Sequence, residues 1–145
     1  MGIELLLKNN RACRQERSQM EKDRFKGFHP AVKLMFVSGG RFFGPGPVGL
    51  LKEIDRCGNV REACENCGFS YSKGWSIIRK AEEKFGCTIV ERQAGGKSGG
   101  SARVSEKGRS MLALYDRLEA ELSKIAEDRF AELADEYGIA EEETR

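Results

Sequence analysis

The sequence NVREACENCGFSYSKGWSIIRKAEEKF, at residues 59–85, carries the strongest structural signal in the chain. Asn59 is a favoured helix-capping residue and Glu62 stands three positions later, which is a variant of the capping box. Gly68 ends this short helix, and Ser70 is a second cap that predicts another helix through the rest of the stretch. Two helices joined by a short turn that contains glycine predict a helix-turn-helix.

The segments before this motif predict a β-hairpin and one more helix. Two runs of β-branched and aromatic residues, 32–37 and 41–43, are separated by a Gly-Gly turn of the kind found in hairpins. Apolar residues then recur at helical spacing from Val48 to Cys57, and Gly58 closes that helix.

The segments after the motif predict a second hairpin and a long helix. A strand is predicted at 87–92 and a return strand at 102–104, with a glycine-rich loop at 94–101 between them. Ser105 is a cap candidate for a final helix that runs to about Tyr137.

This order of elements is that of a winged helix-turn-helix, in which the glycine-rich hairpin at 93–103 is the wing. We expect a mainly α fold with small β content: a winged helix-turn-helix with an N-terminal β-hairpin and a long C-terminal dimerisation helix. At 145 residues the chain fits one small domain with extensions. We divide it into a basic, helical N-terminal extension at 1–30, the winged domain at 31–104, and an acidic helical tail at 105–145.

The charge is distributed unevenly along the chain. Residues 31–110 carry fourteen Lys or Arg against eight Asp or Glu, a net charge of +6, whereas residues 111–145 carry four against eleven, a net charge of −7. A basic body with an acidic tail indicates an anionic partner for the body. Apolar runs fall far short of the ~18 residues of a membrane span and the first residues lack a signal core, so we expect a cytoplasmic protein with no membrane partner.

The final helix predicts a contact between two copies of the chain. Its apolar residues step by four, three, four and three positions, which is the spacing of a coiled-coil seam. A lone helix of this length has little of a small domain to pack on, so we expect a homodimer. The seam residues are Met111, Tyr115, Leu118, Leu122 and Ile125.

Three motifs resemble sites of other kinds. Gly44–Gly49 fits the dinucleotide pattern G-x-G-x-x-G, but Pro47 removes an amide donor and no strand follows the next helix. Gly96-Lys97-Ser98 lacks the earlier glycine of a phosphate-binding loop. The cysteines lack the second paired spacing of a structural zinc site, so buried thiols at helix-packing positions are the favoured interpretation. Of the five cysteines, those near or within the helix-turn-helix are Cys57, Cys64, Cys67 and Cys87, and the fifth is Cys13.

The single histidine, His29, offers no nucleophilic triad. We therefore expect no enzyme, no cofactor and no metal site.

The helix predicted at Tyr71–Phe85 is expected to enter the major groove of DNA. Its apolar stripe would anchor it to the core and leave its N-terminal polar face free; the stripe is Trp75, Ile78, Ala81 and Phe85. Near the N-terminus, Ser72, Lys73 and Ser76 are placed to reach base edges or phosphates, and the helix dipole at Ser70 adds attraction for phosphate. The DNA backbone or minor groove is expected to meet Arg79, Lys80, Lys97 and Arg103.

These residues also carry a family resemblance. Residues 31–118 resemble the DNA-binding domain of ModE-type molybdate-responsive transcription regulators, which is similar to the LysR-type winged helix-turn-helix. The similar segments include Leu50-Leu51-Lys52-Glu53-Ile54-Asp55, Gly68-Phe69-Ser70-Tyr71, Trp75 and Val90-Glu91-Arg92. The Ser-Tyr-x-x-x-Trp step and the Glu-Arg-x-x-Gly-Gly-Lys wing are specific when they occur together.

The resemblance implies a dimer joined through helices that flank the winged domain, with double-stranded operator DNA as the partner. It also implies contacts from Tyr71, Ser72, Lys73 and the wing. The expected DNA contacts are together Ser70, Tyr71, Ser72, Lys73, Ser76, Arg79, Lys80, Lys97, Ser98, Ser101 and Arg103. Full-length members carry C-terminal domains that bind molybdate, whereas the chain after Val104 has an acidic helical pattern without strands. Molybdate binding is therefore doubtful, and we assign it to no residue.

The expected function is that of a sequence-specific transcription regulator. Two alternatives remain open at this point. The winged scaffold and its long helix could serve a protein-interaction adaptor, or the cysteines could make the regulator responsive to metal or to thiol oxidation.

Overall fold

The computed structural model describes Phe25, residues 28–95 and residues 100–139. The elements are β1 (Phe36–Val37), β2 (Arg41–Phe43), α1 (Pro45–Cys57), α2 (Val60–Asn66), α3 (Tyr71–Phe85), β3 (Val90–Gln93), β4 (Ser101–Val104) and α4 (Glu106–Glu136). This confirms the expected mainly α, winged helix-turn-helix order with small β content. The predicted helical extension at 1–30 falls almost wholly outside the described residues.

The contacts among these residues define two compact units. The winged unit spans Lys33–Ala120, and the terminal unit holds the described residues of Met1–Val32 and Glu121–Arg145. Within the terminal unit, Phe130 of α4 packs against Phe25 and Phe28, with ring centroids 4.8 and 5.7 Å away.

Helix α1 begins three residues earlier than the sequence pattern predicted. Its first residue is Pro45, and the Val48 amide already donates to the Gly44 carbonyl at 3.0 Å. Proline is tolerated in the first turn because its missing N–H has no partner inside the helix there. The helix ends as predicted at Gly58, which has a φ of 71°.

Helix α2 begins at the predicted cap. The Asn59 side chain accepts a hydrogen bond from the Glu62 amide at 3.0 Å. This satisfies one of the amides that a helix N-terminus leaves without an internal partner.

The first strand of each antiparallel sheet begins later than predicted. The first strand was expected at 32–37, but β1 holds only Phe36 and Val37. One backbone group of the missing part is used elsewhere, since the Leu34 carbonyl accepts a hydrogen bond from the Tyr115 hydroxyl at 2.9 Å.

The strand expected at 87–92 begins later for a similar reason. The Thr88 carbonyl accepts from Ser105 Oγ at 2.7 Å, and the Ile89 amide donates to Glu82 Oε1 at 2.8 Å. The Gly108 amide donates to the same Ser105 oxygen at 3.0 Å, so the predicted cap of α4 is present. These bonds join the base of β3 to α3 and α4.

The core of the winged unit combines all four helices with both sheets. Its fully buried large side chains include Phe43, Leu50, Leu51, Ile54, Ile78, Ile89, Val104 and Tyr115. Helix α4 contributes Leu112 and Tyr115 to this core, so the expectation that it finds little of the domain to pack on is wrong for its first turns.

Candidate DNA-binding surface

The N-terminus of α3 is built by local hydrogen bonds. Gly68 has a φ of 73°, a left-handed conformation that favours glycine and lets the chain reverse after α2. The Phe69 amide then donates to the Cys64 carbonyl at 2.8 Å. Ser70 caps α3 by accepting a hydrogen bond from the Lys73 amide at 3.2 Å. The predicted turn and cap are therefore present.

The buried side of α3 packs closely on α2. Gly74, Ile78 and Ala81 are its buried residues. Gly74 lies against Cys64, because a Cβ built at Gly74 would stand 2.2 Å from the Cys64 Sγ atom. The absence of a side chain at Gly74 thus sets how closely the two helices approach.

The opposite side of α3 is exposed and carries predicted contact residues. They are Ser72, Lys73, Ser76, Arg79 and Lys80, with Ser70 just before the helix; Tyr71 is also exposed but lies at the flank, beside Arg61 and Arg92. Within the described parts of the chain, Lys73 and Arg79 form no ion pair. Lys80 donates to the Arg41 carbonyl at 3.0 Å, which joins this helix to the β1–β2 hairpin.

Trp75 packs against the core, as its place in the apolar stripe predicted, and it also makes a contact that the sequence did not predict. Its side chain is half-buried rather than enclosed, and the Arg92 guanidinium carbon lies 4.0 Å from the indole centroid. Its Nε1 atom is buried and has no hydrogen-bond partner among the described residues. Trp75 therefore joins α3 to strand β3 through a cation–π contact.

Two arginines that were not among the expected DNA contacts meet at Tyr71. The guanidinium carbon of Arg61, on α2, lies 4.6 Å from the Tyr71 ring centroid. Arg92, on β3, donates to the Tyr71 hydroxyl at 3.2 Å. The Tyr71 and Trp75 rings are themselves 6.3 Å apart in an edge-to-face arrangement. We call these four residues the arginine–aromatic cluster.

The β3–β4 ladder divides the charges near the wing between two faces. Glu91 stands opposite Arg103, and Arg92 stands opposite Ala102. Opposed residues share a face of the ladder and successive residues alternate, so Arg92 and Arg103 lie on opposite faces. The Nε atom of Arg103 donates to Glu91 Oε2 at 2.8 Å, and Arg103 is thus already paired with a carboxylate.

Of the remaining predicted wing residues, only Ser101 is among the described residues. Ser101 is exposed, and its Oγ donates to Gln93 Oε1 at 3.4 Å. Lys97 and Ser98 lie outside the described residues.

A groove runs between the first turns of α2 and α3 and the described residues of the wing. Its cavity volume is about 600 Å³, and its lining includes Arg61, Tyr71, Arg92, Gln93 and Ser101. Two guanidinium groups therefore border a space beside the N-terminus of α3.

The four described cysteines, Cys57, Cys64, Cys67 and Cys87, are free thiols that are buried or half-buried. Cys64 is buried, and burial raises the pKa of its thiol and of the Cys67 thiol, which favours the protonated forms. The Cys57 Sγ atom donates to the Asn59 carbonyl at 3.2 Å. Among the described residues, no group of three or more His, Cys, Asp or Glu side chains is arranged to hold a metal ion.

The predicted seam residues of α4 fall into three environments. Tyr115 is 1% exposed and lies in the core of its own winged unit. Met111 and Leu122 are half-buried, whereas Leu118 and Ile125 are 38% and 58% exposed. Tyr115 is therefore used within its own winged unit.

No helix in the described residues has both the length and the apolar character that crossing a membrane requires. No protein-family model matches the chain.

Comparison with known proteins gives sequence relatives that are named as transcription regulators or as molybdenum-pterin-binding proteins. The chain is 32% identical over 98 residues to the DNA-binding transcriptional dual regulator ModE of Escherichia coli (strain K12), covering 68% of this chain and 36% of that protein. It is 33% identical over 87 residues to the molybdenum-pterin-binding protein MopA of Rhodobacter capsulatus, covering 60% of this chain and 33% of that protein.

A solved structure, ArgP from Mycobacterium tuberculosis, aligns with a TM-score of 0.41 at 20% identity, over 61% of this chain and 30% of that one.

The chain spans about a third of the length of the curated relatives that it matches. Over that part it resembles ModE-type transcription regulators, as the helix-turn-helix and wing motifs predicted.

Proposed function

We propose that this chain is a DNA-binding transcription regulator that places the N-terminal half of α3 in the major groove. The observation that carries the proposal is that the N-terminus of α3 is exposed and capped, and that α3 packs closely against α2. A helix N-terminus carries partial positive charge and free amides, and both attract phosphate. The regulatory names of the sequence relatives support the same assignment.

The contacts divide by their position along α3. Ser72, Lys73 and Ser76 project from the first two turns, where side chains reach base edges. Arg79 and Lys80 lie about one turn beyond Ser76 and contact the backbone. Ser70 and Tyr71 complete the surface at the start of the helix.

The wing, residues 93–103, contacts the backbone or the minor groove through Lys97, Ser98, Ser101 and Arg103. Arg103 must then exchange Glu91 for a phosphate. An exposed ion pair contributes only about 0.2–1 kcal/mol, and both partners here are exposed by 42% or more. The exchange is therefore energetically easy.

The proposed regulator acts as a homodimer joined through α4. The seam consists of Met111, Leu118, Leu122 and Ile125, since Tyr115 is enclosed in its own unit. Two copies related by a twofold axis would read a palindromic operator with half-sites about one helical turn of DNA apart.

Gel-shift titration of the full chain with genomic DNA fragments tests the proposal. We expect binding at low salt that weakens steeply between about 50 and 200 mM salt, because phosphate contacts release counterions. Absence of any binding at low salt would refute the proposal.

The variant Lys73→Gln tests the docking face, and Lys52→Gln is its matched control. Both substitutions remove one positive charge from an exposed side chain, but Lys52 is bound to Asp116 at 2.7 Å and lies on α1. We expect weaker DNA binding from Lys73→Gln alone. Equal binding by the two variants would show that the docking face is misplaced.

A protein-interaction adaptor is the second candidate function. It is favoured by two exposed leucines on the acidic helix α4, Leu114 at 52% and Leu118 at 38% exposure. Sedimentation velocity separates the candidates: a stable homodimer that binds duplex DNA supports the regulator. A monomer that binds no duplex at low salt supports the adaptor.

A further inference from the structure

Arg61 and Arg92 differ from other arginines of the winged unit in what holds them. Three arginines there are bound to carboxylates: Arg56 to Glu53, Arg103 to Glu91 and Arg109 to Asp55. Arg61 and Arg92 instead contact aromatic rings. Within the described parts of the chain, neither forms an ion pair. Their positive charges are thus not neutralised by a neighbouring carboxylate.

The aromatic contacts fix the guanidinium groups without using all of their donors. A guanidinium stacked on a ring covers one face and keeps its N–H groups in its own plane. Arg92 uses one N–H group to donate to the Tyr71 hydroxyl, at 3.2 Å, and its other N–H groups remain available. This arrangement presents oriented donors at little further cost in side-chain entropy.

Both arginines border the same groove beside α3. Arg61 enters it from α2 and Arg92 from β3, and Tyr71 contacts both of them. The groove lies between the capped start of α3 and the base of the wing, which are the two elements proposed to contact DNA. A partner that contacts both elements therefore passes this pair of guanidinium groups.

We propose that Arg61 and Arg92 form a binding site for a backbone phosphate of the DNA, with Tyr71 and Trp75 as the rings that orient them. The planar guanidinium fork matches two phosphate oxygens, which makes a phosphodiester the fitting ligand. This inference rests on the proposed function, since it adds a phosphate contact to the same DNA-binding surface.

The salt dependence of DNA binding tests the site. Full-length wild type, Arg61→Gln, Arg92→Gln and Arg92→Lys are titrated onto one mixed-sequence duplex at several salt concentrations. Each Gln variant is expected to bind roughly tenfold more weakly at low salt. The slope of log affinity against log salt should also become shallower by about 0.9 for each phosphate that the variant no longer neutralises. Arg92→Lys should regain the slope but not the full affinity, because it keeps the charge without the planar fork.

Arg56→Gln is the matched control, since it removes the same charge from a guanidinium that is already bound to Glu53. It should leave the slope unchanged. If wild type binds DNA and the Arg61 and Arg92 variants keep its slope, the phosphate site is refuted while the proposed function stands. If wild type binds no DNA, both the proposed function and the phosphate site are refuted. A loss of affinity in Arg92→Gln at unchanged slope would assign Arg92 a positioning role and also refute the site.

Trp75 supplies a second readout because it is the only tryptophan in the chain. Acrylamide should quench its fluorescence more strongly in Arg92→Gln than in wild type or in Arg56→Gln, because the ring loses its guanidinium cover. Equal quenching in all three would refute the stacked arrangement.

Titration with inorganic phosphate should leave the emission of the free protein unchanged. A saturable response would indicate a site for the free anion and overturn the assignment to DNA.

Discussion

Gly74→Ala is the most direct test of the packing that presents α3. A Cβ at this position would lie 2.2 Å from the Cys64 Sγ atom, where ordinary van der Waals contacts are 3.4–4 Å. Cys64 is 1% exposed, so its sulfur cannot turn away into solvent. We therefore expect α2 and α3 to move apart to relieve the overlap.

Two effects of opposite sign set the expected magnitude. Overpacking a close contact costs about 1–3 kcal/mol, whereas replacing glycine by alanine inside a helix contributes about 1 kcal/mol of stability. An overlap of more than 1 Å against a buried atom puts the packing cost at the upper end of its range. We expect a net decrease of about 1–2 kcal/mol in the free energy of unfolding, measured by urea denaturation.

The matched test combines Gly74→Ala with Cys64→Ala. Without its sulfur, residue 64 keeps a Cβ that would be 3.7 Å from the new methyl group, an ordinary contact. The double variant should therefore be more stable than the sum of the two single effects by more than about 1 kcal/mol, as expected for coupled neighbours. A stabilising Gly74→Ala variant, or a coupling energy near zero, would refute the close approach of the two helices.

Three further variants test the caps, the acid stability and the dimer. Ser70→Ala should lower the free energy of unfolding by about 1 kcal/mol through loss of the α3 cap, while Ser72→Ala should stay within about 0.5 kcal/mol of wild type; equal effects in urea denaturation would contradict the capping role. The hydrogen bond from Arg56 lowers the pKa of Glu53 from 4.5 to about 2, so its contribution is present above pH 4.5 and is lost as the pH falls towards 2. Thermal melts across that window should show a flatter pH dependence in Glu53→Gln, and parallel curves would rule out this linkage. Leu118→Glu should raise the dimer dissociation constant at least about tenfold in sedimentation equilibrium, because burying a leucine contributes about 1.5–3 kcal/mol; an unchanged constant would place the dimer contact elsewhere.

The helical framework follows from short-range signals that a sequence displays directly. The caps at Asn59 and Ser70 and the glycines Gly58 and Gly68 act on amides and carbonyls within a few residues. Their effect therefore does not depend on distant parts of the chain, and α2 and α3 begin where the sequence predicted. The strand ends were predicted less well, since side chains such as Glu82 and Tyr115 bind backbone groups far away in sequence.

In the candidate DNA-binding surface, too, local features could be predicted from the sequence and contacts between distant segments could not. The polar face of α3, including Lys73 and Ser76, could be predicted because helical periodicity separates it from Ile78 and Ala81. Alternation along β3 likewise places Arg92 on the same side as the apolar Val90. No local pattern says which element covers that side, and so the contact of Arg92 with Trp75 could not be predicted.

The sequence by itself therefore determined the order of elements, the ends of α2 and α3 and the exposed face of α3, because each depends on interactions between near neighbours. Only the tertiary structure decided which of two nearby arginines is paired with a carboxylate and which is held against α3. Arg103 and Arg92 stand on opposite faces of one small ladder, and Arg92 meets the rings of a helix about twenty residues earlier in the chain. It also assigned Tyr115 to the core of its own unit. Periodicity defines the faces of an element, whereas packing between distant segments defines what each face contacts.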